Sequence, residues 1–133
     1  MRPAALATGA RLLAAATVSA AASESVLAGT WARGDGGAVV RINRCGEAWC
    51  ATNVWVAPDR RGREAVGDVL EMRVAPKGDR RLEGTAWDRR RSLSYAMRID
   101  VGADRLATRG CLLAGLLCID MDFLRRSGAS PAP

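Results

Sequence analysis

Apolar and polar residues alternate with a period of two along much of the chain, most clearly at 92–101. Leu93, Tyr95, Met97 and Ile99 share one parity there, and mostly polar or small residues share the other. Successive side chains of a β-strand point to opposite faces, so the pattern predicts one buried and one wet face. Clusters of Gly, Asp, Pro and Arg separate such runs as turns. We predict eight antiparallel strands, at 29–33, 38–44, 49–57, 69–75, 81–87, 92–101, 105–111 and 118–125.

Eight consecutive strands with one apolar face each close most economically into an all-β antiparallel barrel, because closure removes exposed edges. An open sandwich is the alternative. A barrel of this size either fills itself with side chains or holds one small ligand. Gly84 and Ala86 leave room on one strand, which favours a cavity. The candidate ligand-facing residues are Val40, Ile42, Leu70, Met72, Val74, Leu93, Tyr95, Met97, Ile99, Met121 and Phe123.

The N-terminal segment has the layout of a secretory signal. A basic start is followed by an apolar stretch that ends in small residues of the A-x-A type. A membrane span needs roughly 20 apolar residues, and Arg11 interrupts this run. We therefore predict a signal peptide helix at 1–22, a barrel domain at 23–126 and a disordered tail at 127–133, in a periplasmic or secreted protein with no membrane span.

The four cysteines all lie in the predicted mature part, at Cys45, Cys50, Cys111 and Cys118. An even number of cysteines in a small exported chain indicates disulfides. Four cysteines allow three connectivities; we favour Cys45 with Cys50 and Cys111 with Cys118, since each pair brackets a short turn. A zinc site is the rival interpretation, but the usual C-x2-C spacing is absent.

Composition argues against much enzymology and against nucleic acid. The chain of 133 residues has no histidine, which excludes catalytic triads with a histidine base. Asp120 and Asp122 share one outward face, and acid and base catalysis needs carboxylates that converge in a cleft. The net charge of +6 comes almost wholly from arginine, and no ladder of aromatics is available for base stacking. We predict no enzyme activity, no cofactor, no metal and no nucleic-acid partner.

The tripeptide Gly29-Thr30-Trp31 opens the first predicted strand. It is similar to the G-x-W of lipocalin-like barrels, in which the tryptophan lies at the closed end and an arginine of the last strand covers its indole. A guanidinium on an aromatic face gains cation–π and stacking energy. Arg125 shares the inward parity of Met121 and Phe123, so we predict that Arg125 covers Trp31 as a plug at the barrel end.

Further blocks extend the likeness over almost the whole mature chain: Gly29-Thr30-Trp31, Val40-Arg41-Ile42 with Cys45-Gly46, Val54-Trp55, and Arg109-Gly110-Cys111 through Leu117-Cys118. Together they resemble the exported bacterial domain-of-unknown-function family number twenty-one forty-seven. The resemblance implies a small lipocalin-like (calycin-type) barrel with no established activity. The chain departs from the family in a shortened, arginine-rich stretch at 58–67 and in Phe123, where tryptophan is usual.

The segment between the last two cysteines contains four leucines and no charge, namely Leu112, Leu113, Leu116 and Leu117. We expect it either to fold back on the barrel, which we favour, or to form a contact surface. Arginine clusters at 60–63, 80–81 and 89–91 could line one rim and meet lipid headgroups, but we favour solvated turns that keep the protein soluble. The sequence thus predicts a barrel that binds a small apolar ligand in the cell envelope; the alternative is a packed barrel that contacts an envelope protein or a lipid surface. Neither interpretation predicts the oligomeric state.

Overall fold

The computed structural model describes residues 4–5, 9 and 24–127, and its strands form one closed antiparallel barrel. Each strand pairs with the next along the chain, and the last pairs with the first. The predicted strands are all present, and none of their ends differs by more than one residue. The strands are β1 (Gly29–Arg33), β2 (Ala38–Cys45), β3 (Ala48–Val56), β4 (Val69–Pro76), β5 (Arg81–Asp88), β6 (Leu93–Val101), β7 (Arg105–Leu112) and β8 (Leu117–Arg126).

The up-and-down order sorts the connections into two sets. One end of the barrel, which we call the closed end, carries the entering segment 24–28 and the turns 46–47, 77–80 and 102–104. The opposite, open end carries 34–37, the long connection 57–68, 89–92 and 113–116. Short 3₁₀ helices lie within two of the open-end connections, at Pro58–Arg60 and Leu113–Gly115.

The hydrophobic core fills the closed half of the barrel. Trp31 and Leu27 are completely buried at its centre, and the inward-facing residues of the neighbouring strands pack around them. Burial of such side chains contributes about 1.5–3 kcal/mol each to the free energy of folding. The other members of this core are Val40, Ile42, Trp49, Met72, Leu82, Ala86, Ile99, Val101 and Leu106.

Arg125 lies where its parity on β8 predicts, over the indole of Trp31. Its guanidinium carbon is 4.2 Å from the ring centroid. The same guanidinium donates hydrogen bonds to the carbonyls of Val26 at 2.6 Å, Ala28 at 3.1 Å and Ala103 at 3.2 Å. The Trp31 Nε1 donates to the carbonyl of Leu27 at 2.9 Å. One arginine therefore joins the entering segment, the β6–β7 turn and the two strands that close the barrel.

Both disulfides have the predicted connectivity. Cys45 and Cys50 bracket the β2–β3 turn at the closed end, with a Cα–Cα distance of 5.8 Å. Cys111 and Cys118 lie directly opposite each other on β7 and β8, with a Cα–Cα distance of 4.1 Å. The two bridges therefore reinforce hairpins at opposite ends of the barrel. The zinc interpretation is wrong, because the disulfides use all four cysteines.

Gly84 has a different role from the one expected. A Cβ atom built on Gly84 would collide with the backbone carbonyl of Arg73 on β4. The glycine thus permits a close approach of β4 and β5 and does not open space for a ligand. Its neighbour Ala86 does border the cavity described below.

The predicted signal peptide at 1–22 and the tail at 127–133 lie almost entirely outside the described residues. Among the described residues, no helix is both long enough and apolar enough to cross a membrane.

We expect Arg125→Met to destabilise the barrel by about 2–4 kcal/mol, because methionine keeps much of the volume but removes the cation and the hydrogen bonds to three carbonyls. Urea unfolding followed by tryptophan fluorescence measures the change. Arg41→Met is the matched control, since Arg41 is exposed on β2 and its side chain forms no hydrogen bond or ion pair within the part of the chain that the structure describes. Equal stability of the two variants would contradict the importance of the plug.

Candidate functional site

A cavity of about 280 Å³ occupies the open half of the barrel, above the packed core. This volume lies just below the size range of small-molecule pockets, which begins at about 300 Å³. Its wall is mainly apolar and its polar residues lie chiefly toward the mouth. The apolar lining consists of Val40, Ala51, Val69, Leu70, Ala86, Met97, Gly110, Ile119, Met121 and Phe123.

The candidate ligand-facing residues divide between the cavity and the core. Six of them line the cavity: Val40, Leu70, Tyr95, Met97, Met121 and Phe123. The assignment was wrong for the other five. Ile42, Met72 and Ile99 belong to the core at the closed end, Val74 packs against that core, and Leu93 is exposed near the open rim. Strand parity predicts which face a side chain occupies, but it does not report depth along the barrel axis.

An arginine from β1 organises the mouth of the cavity. Arg33 has the same parity as Trp31 and lines the cavity. Its guanidinium donates to both carboxylate oxygens of Glu64, at 2.6 and 2.8 Å, and to Asp35 at 2.8 Å. Arg60 adds ion pairs to the same two acids. This network fastens the 57–68 connection to the barrel wall.

These contacts shift the ionisation of their members. Hydrogen bonding to Arg33 holds the pKa of Glu64 below its ordinary value, despite the opposing effect of partial burial. For Asp35, burial raises the pKa, but the bonds from Arg33 and the Gly37 amide outweigh it and the net shift is downward. The hydrogen bond to Glu64 likewise raises the pKa of Arg33. All three groups are therefore charged at neutral pH.

The β5–β6 turn closes the opposite side of the mouth through two further arginines. Arg90 pairs with Asp68 at 3.0 Å, and Arg91 pairs with Asp88 at 2.9 Å. Arg91 also donates to the carbonyl of Arg63 at 2.6 Å. The charges at the mouth are thus matched by opposite charges, so they shape the opening more than they attract an ion.

Few polar groups reach into the cavity itself. The hydroxyl of Thr108 donates to the carbonyl of Met121, and the amide of Asn53 donates to the carbonyl of Ala65. The hydroxyl of Tyr95 has no hydrogen bond among those of the described residues. It is therefore available to form a hydrogen bond with a ligand. No group of three potential metal-ligating side chains occurs among the described residues.

The leucine segment is exposed at the open end. Leu113 and Leu116 have 66% and 82% of their surface exposed, Leu117 is also exposed, and Leu112 is partly buried at the end of β7. The expectation that this segment folds back on the barrel is wrong. The hairpin of β7 and β8 extends past the end of β6, because β6 pairs with β7 only up to Cys111, and the tip beyond it lies away from the core.

The arginine clusters do not share one rim. Those at 60–63 and 89–91 lie at the open end, whereas 80–81 lies at the closed end. Several of these arginines pair with acids, including Arg81 with Asp100 at 2.8 Å. The predicted basic rim for lipid headgroups is therefore divided and largely neutralised.

Sequence reasoning missed the polar residues of the mouth. The inward parity of Arg33 after Trp31, and of Asp88 after Ala86, was a usable signal for two of them. Glu64 and Asp68 lie in an irregular connection, where no periodicity indicates which side chains return to the barrel.

We predict that Glu64→Gln lowers stability by about 1–2 kcal/mol at neutral pH, because it removes a charged partner of Arg33. The folded-state pKa of Glu64 is depressed, so this contribution is present above its ordinary pKa of 4.5 and is lost as the pH falls through the folded value. The difference between wild type and Glu64→Gln should therefore shrink on acidification, as measured by thermal unfolding across pH. Asp59→Asn, in the same connection but exposed, is the control; a constant wild-type to Glu64→Gln difference at all pH values would refute the prediction.

Comparison with known proteins identifies the family. The chain matches the family model DUF2147, described as an uncharacterized protein conserved in bacteria, over residues 29–125. No curated protein and no solved structure matches the chain. The matched range runs from the first residue of β1 to Arg125 and contains both disulfides and the cavity lining. The protein therefore belongs to the bacterial family DUF2147.

Proposed function

We propose that this protein binds a small apolar molecule in its open-end cavity and performs no catalysis. The observation that carries the proposal is the apolar space of about 280 Å³ that remains above a packed core. The carboxylates at the mouth, Glu64, Asp68 and Asp88, are each engaged by arginine. Carboxylates that are paired with arginine in this way hold the mouth of the cavity in place and are poorly suited to transfer protons.

The size and polarity of the cavity narrow the ligand class. An apolar cavity of about 150 Å³ accepts benzene, so this one suits a ligand about twice as large, such as a fused two-ring compound or a short hydrocarbon chain. A single hydroxyl or carbonyl on the ligand would meet the Tyr95 hydroxyl. A ligand with a net charge would have to compete with the ion pairs around Arg33 and Arg91.

We also propose that the protein works in the periplasm or outside the cell. Two disulfides are typical of an oxidising compartment, and the N-terminal segment has the sequence pattern of an export signal. An envelope location would bring the cavity close to apolar compounds that cross or leave a membrane.

Titration with the neutral fluorescent probe N-phenyl-1-naphthylamine tests the binding proposal. Gly110 borders the cavity, and a Cβ atom on it would lie in ordinary van der Waals contact with the side chains of Tyr95 and Met97, at 3.8 and 3.9 Å, so Gly110→Leu should fit and fill part of the cavity. We expect a loss of affinity of about tenfold or more, equivalent to about 1.4 kcal/mol. Ala96→Leu adds the same side chain on the outer surface and should bind as wild type does.

Unchanged probe affinity in Gly110→Leu, with both variants folded, would overturn the proposal. Independently of the probe, native followed by denaturing mass spectrometry of protein purified from the envelope would identify a natural ligand as excess mass released on unfolding.

A second candidate function is contact with a lipid surface or an envelope protein through the leucine tip. Its support is the exposure of Leu113 and Leu116 in a segment without charge. Contiguous exposed apolar residues often mark interaction sites.

We predict that Leu116→Asp weakens flotation of the protein with phosphatidylglycerol-containing vesicles. Leu124→Asp is the control, because Leu124 is also exposed but lies on the outer face of β8 away from the tip. Equal flotation of wild type and both variants would exclude lipid contact through the tip.

A further inference from the structure

The strand β8 extends beyond its neighbour on one side of the barrel. It pairs with β7 from Leu117 to Leu124, but with β1 only from Phe123 to Arg126. On the β1 side, the segment 117–122 has one backbone hydrogen bond among the described residues, from the Gly34 amide to the Asp122 carbonyl at 2.7 Å. A barrel normally removes free edges, so this exposed strand edge requires an explanation.

The orientation of the backbone groups on this edge follows from the pairing with β7. Cys111 and Cys118 are 4.1 Å apart at Cα, which matches a non-hydrogen-bonded pair at about 4.5 Å and not a hydrogen-bonded pair at about 5.5 Å. The amide and carbonyl of Cys118 therefore point away from β7, and by alternation so do those of Asp120 and Asp122. The Gly34 bond to the Asp122 carbonyl agrees with this alternation.

The side chains along the same edge are apolar on one face. Leu117, Ile119 and Met121 share the inward parity, yet 63% of the Ile119 surface is exposed because no strand lies beside it. The opposite face carries Cys118 and Asp120, and Asp120 is held by Arg109 at 2.7 Å. The edge thus offers unpaired backbone groups together with an apolar row.

We propose that the occupant of this edge is a second copy of the chain, whose β8 pairs antiparallel with β8 about a two-fold axis at Ile119. In this register Ile119 faces Ile119 of the partner subunit, and Leu117 faces Met121 of the partner subunit. Cys118 lies opposite Asp120 of the partner subunit, and Asp120 lies opposite Cys118 of the partner subunit. These two hydrogen-bonded pairs lie on either side of the axis. The same patch serves both chains, as a two-fold interface requires.

Other symmetric registers are less favourable. An axis at Asp120 would place two carboxylates directly opposite each other, and like charges at such positions destabilise a sheet. An axis at Cys118 would require Leu116 to extend the ladder, but Leu116 adopts a helical turn conformation. An axis at Met121 would use residues already paired with β1 and would bring Asp120 opposite Asp122 of the partner subunit.

The dimer would also bear on the cavity. Ile119 and Met121 line the cavity from the side of this edge, so the partner's Ile119 would cover the lateral part of its opening. This consequence depends on the proposed ligand function, whereas the pairing of the strands does not.

Site-specific cross-linking tests the register. We expect Ile119→Cys, produced by export of the full chain, to form a covalent dimer in non-reducing conditions, because opposed residues at the axis fall within disulfide reach. Leu124→Cys is the control, since it is exposed on the same strand but paired with β1. Peptide mapping checks that both native disulfides remain. A monomeric Ile119→Cys chain would overturn the register.

Sedimentation analysis tests the dimer without added cysteine. Wild type and Leu124→Lys should sediment as dimers, and Ile119→Lys should sediment as a monomer with a circular dichroism spectrum like that of wild type. A monomeric wild type, or a dimer that persists in Ile119→Lys, would overturn the proposal. Probe binding is measured separately on each variant, so failure of the dimer and failure of ligand binding are distinguishable.

Discussion

The closure of the barrel depends on the contact between Arg125 and Trp31 at the seam between its first and last strands. The two residues are register partners, so the cation–π contact and the strand pairing reinforce each other. The hydrogen bonds from Arg125 to the carbonyls of Val26, Ala28 and Ala103 then seal the same end with chain segments that have no strand partner. A single side chain thereby ties three backbone carbonyls of the closed end to the seam of the barrel.

Sealing one end makes the two halves of the barrel physically different. The large side chains Trp31, Trp49 and Met72 fill the closed half, whereas small residues such as Ala51, Ala86 and Gly110 occupy the walls of the open half. The cavity is the space that these small side chains leave unfilled. The charges that surround its mouth are paired across separate loops, with Arg33 reaching Glu64 and Arg90 reaching Asp68. The contact between Arg33 and Glu64 weakens in acid, because protonation of Glu64 below its lowered pKa removes the charge of this carboxylate.

The long β8 shows how closure and an exposed edge coexist in one barrel. The short β1 covers only the closed-end part of β8, and the remainder projects with β7 as a hairpin bridged by Cys111 and Cys118. The bridge constrains a hairpin tip that the barrel core does not support. Apolar residues of this hairpin therefore stay exposed close to the cavity. The candidate ligand site and the proposed interaction surface consequently lie side by side.

The sequence by itself determined the strands and their order, which follow from a period of two, turn residues and short loops, all of which are local. It favoured the observed disulfide pairing among three connectivities, and its resemblance to lipocalin-like barrels, together with strand parity, predicted Arg125 over Trp31. The tertiary structure alone decided which inward residues line the cavity, because Ile42 and Val40 have the same parity and differ only in depth along the barrel. It also decided the partners of Arg33, since Glu64 returns from an irregular connection, and the exposure of Ile119, since that depends on where β1 ends. Such properties arise from distances between segments far apart in the chain, and no local pattern encodes them.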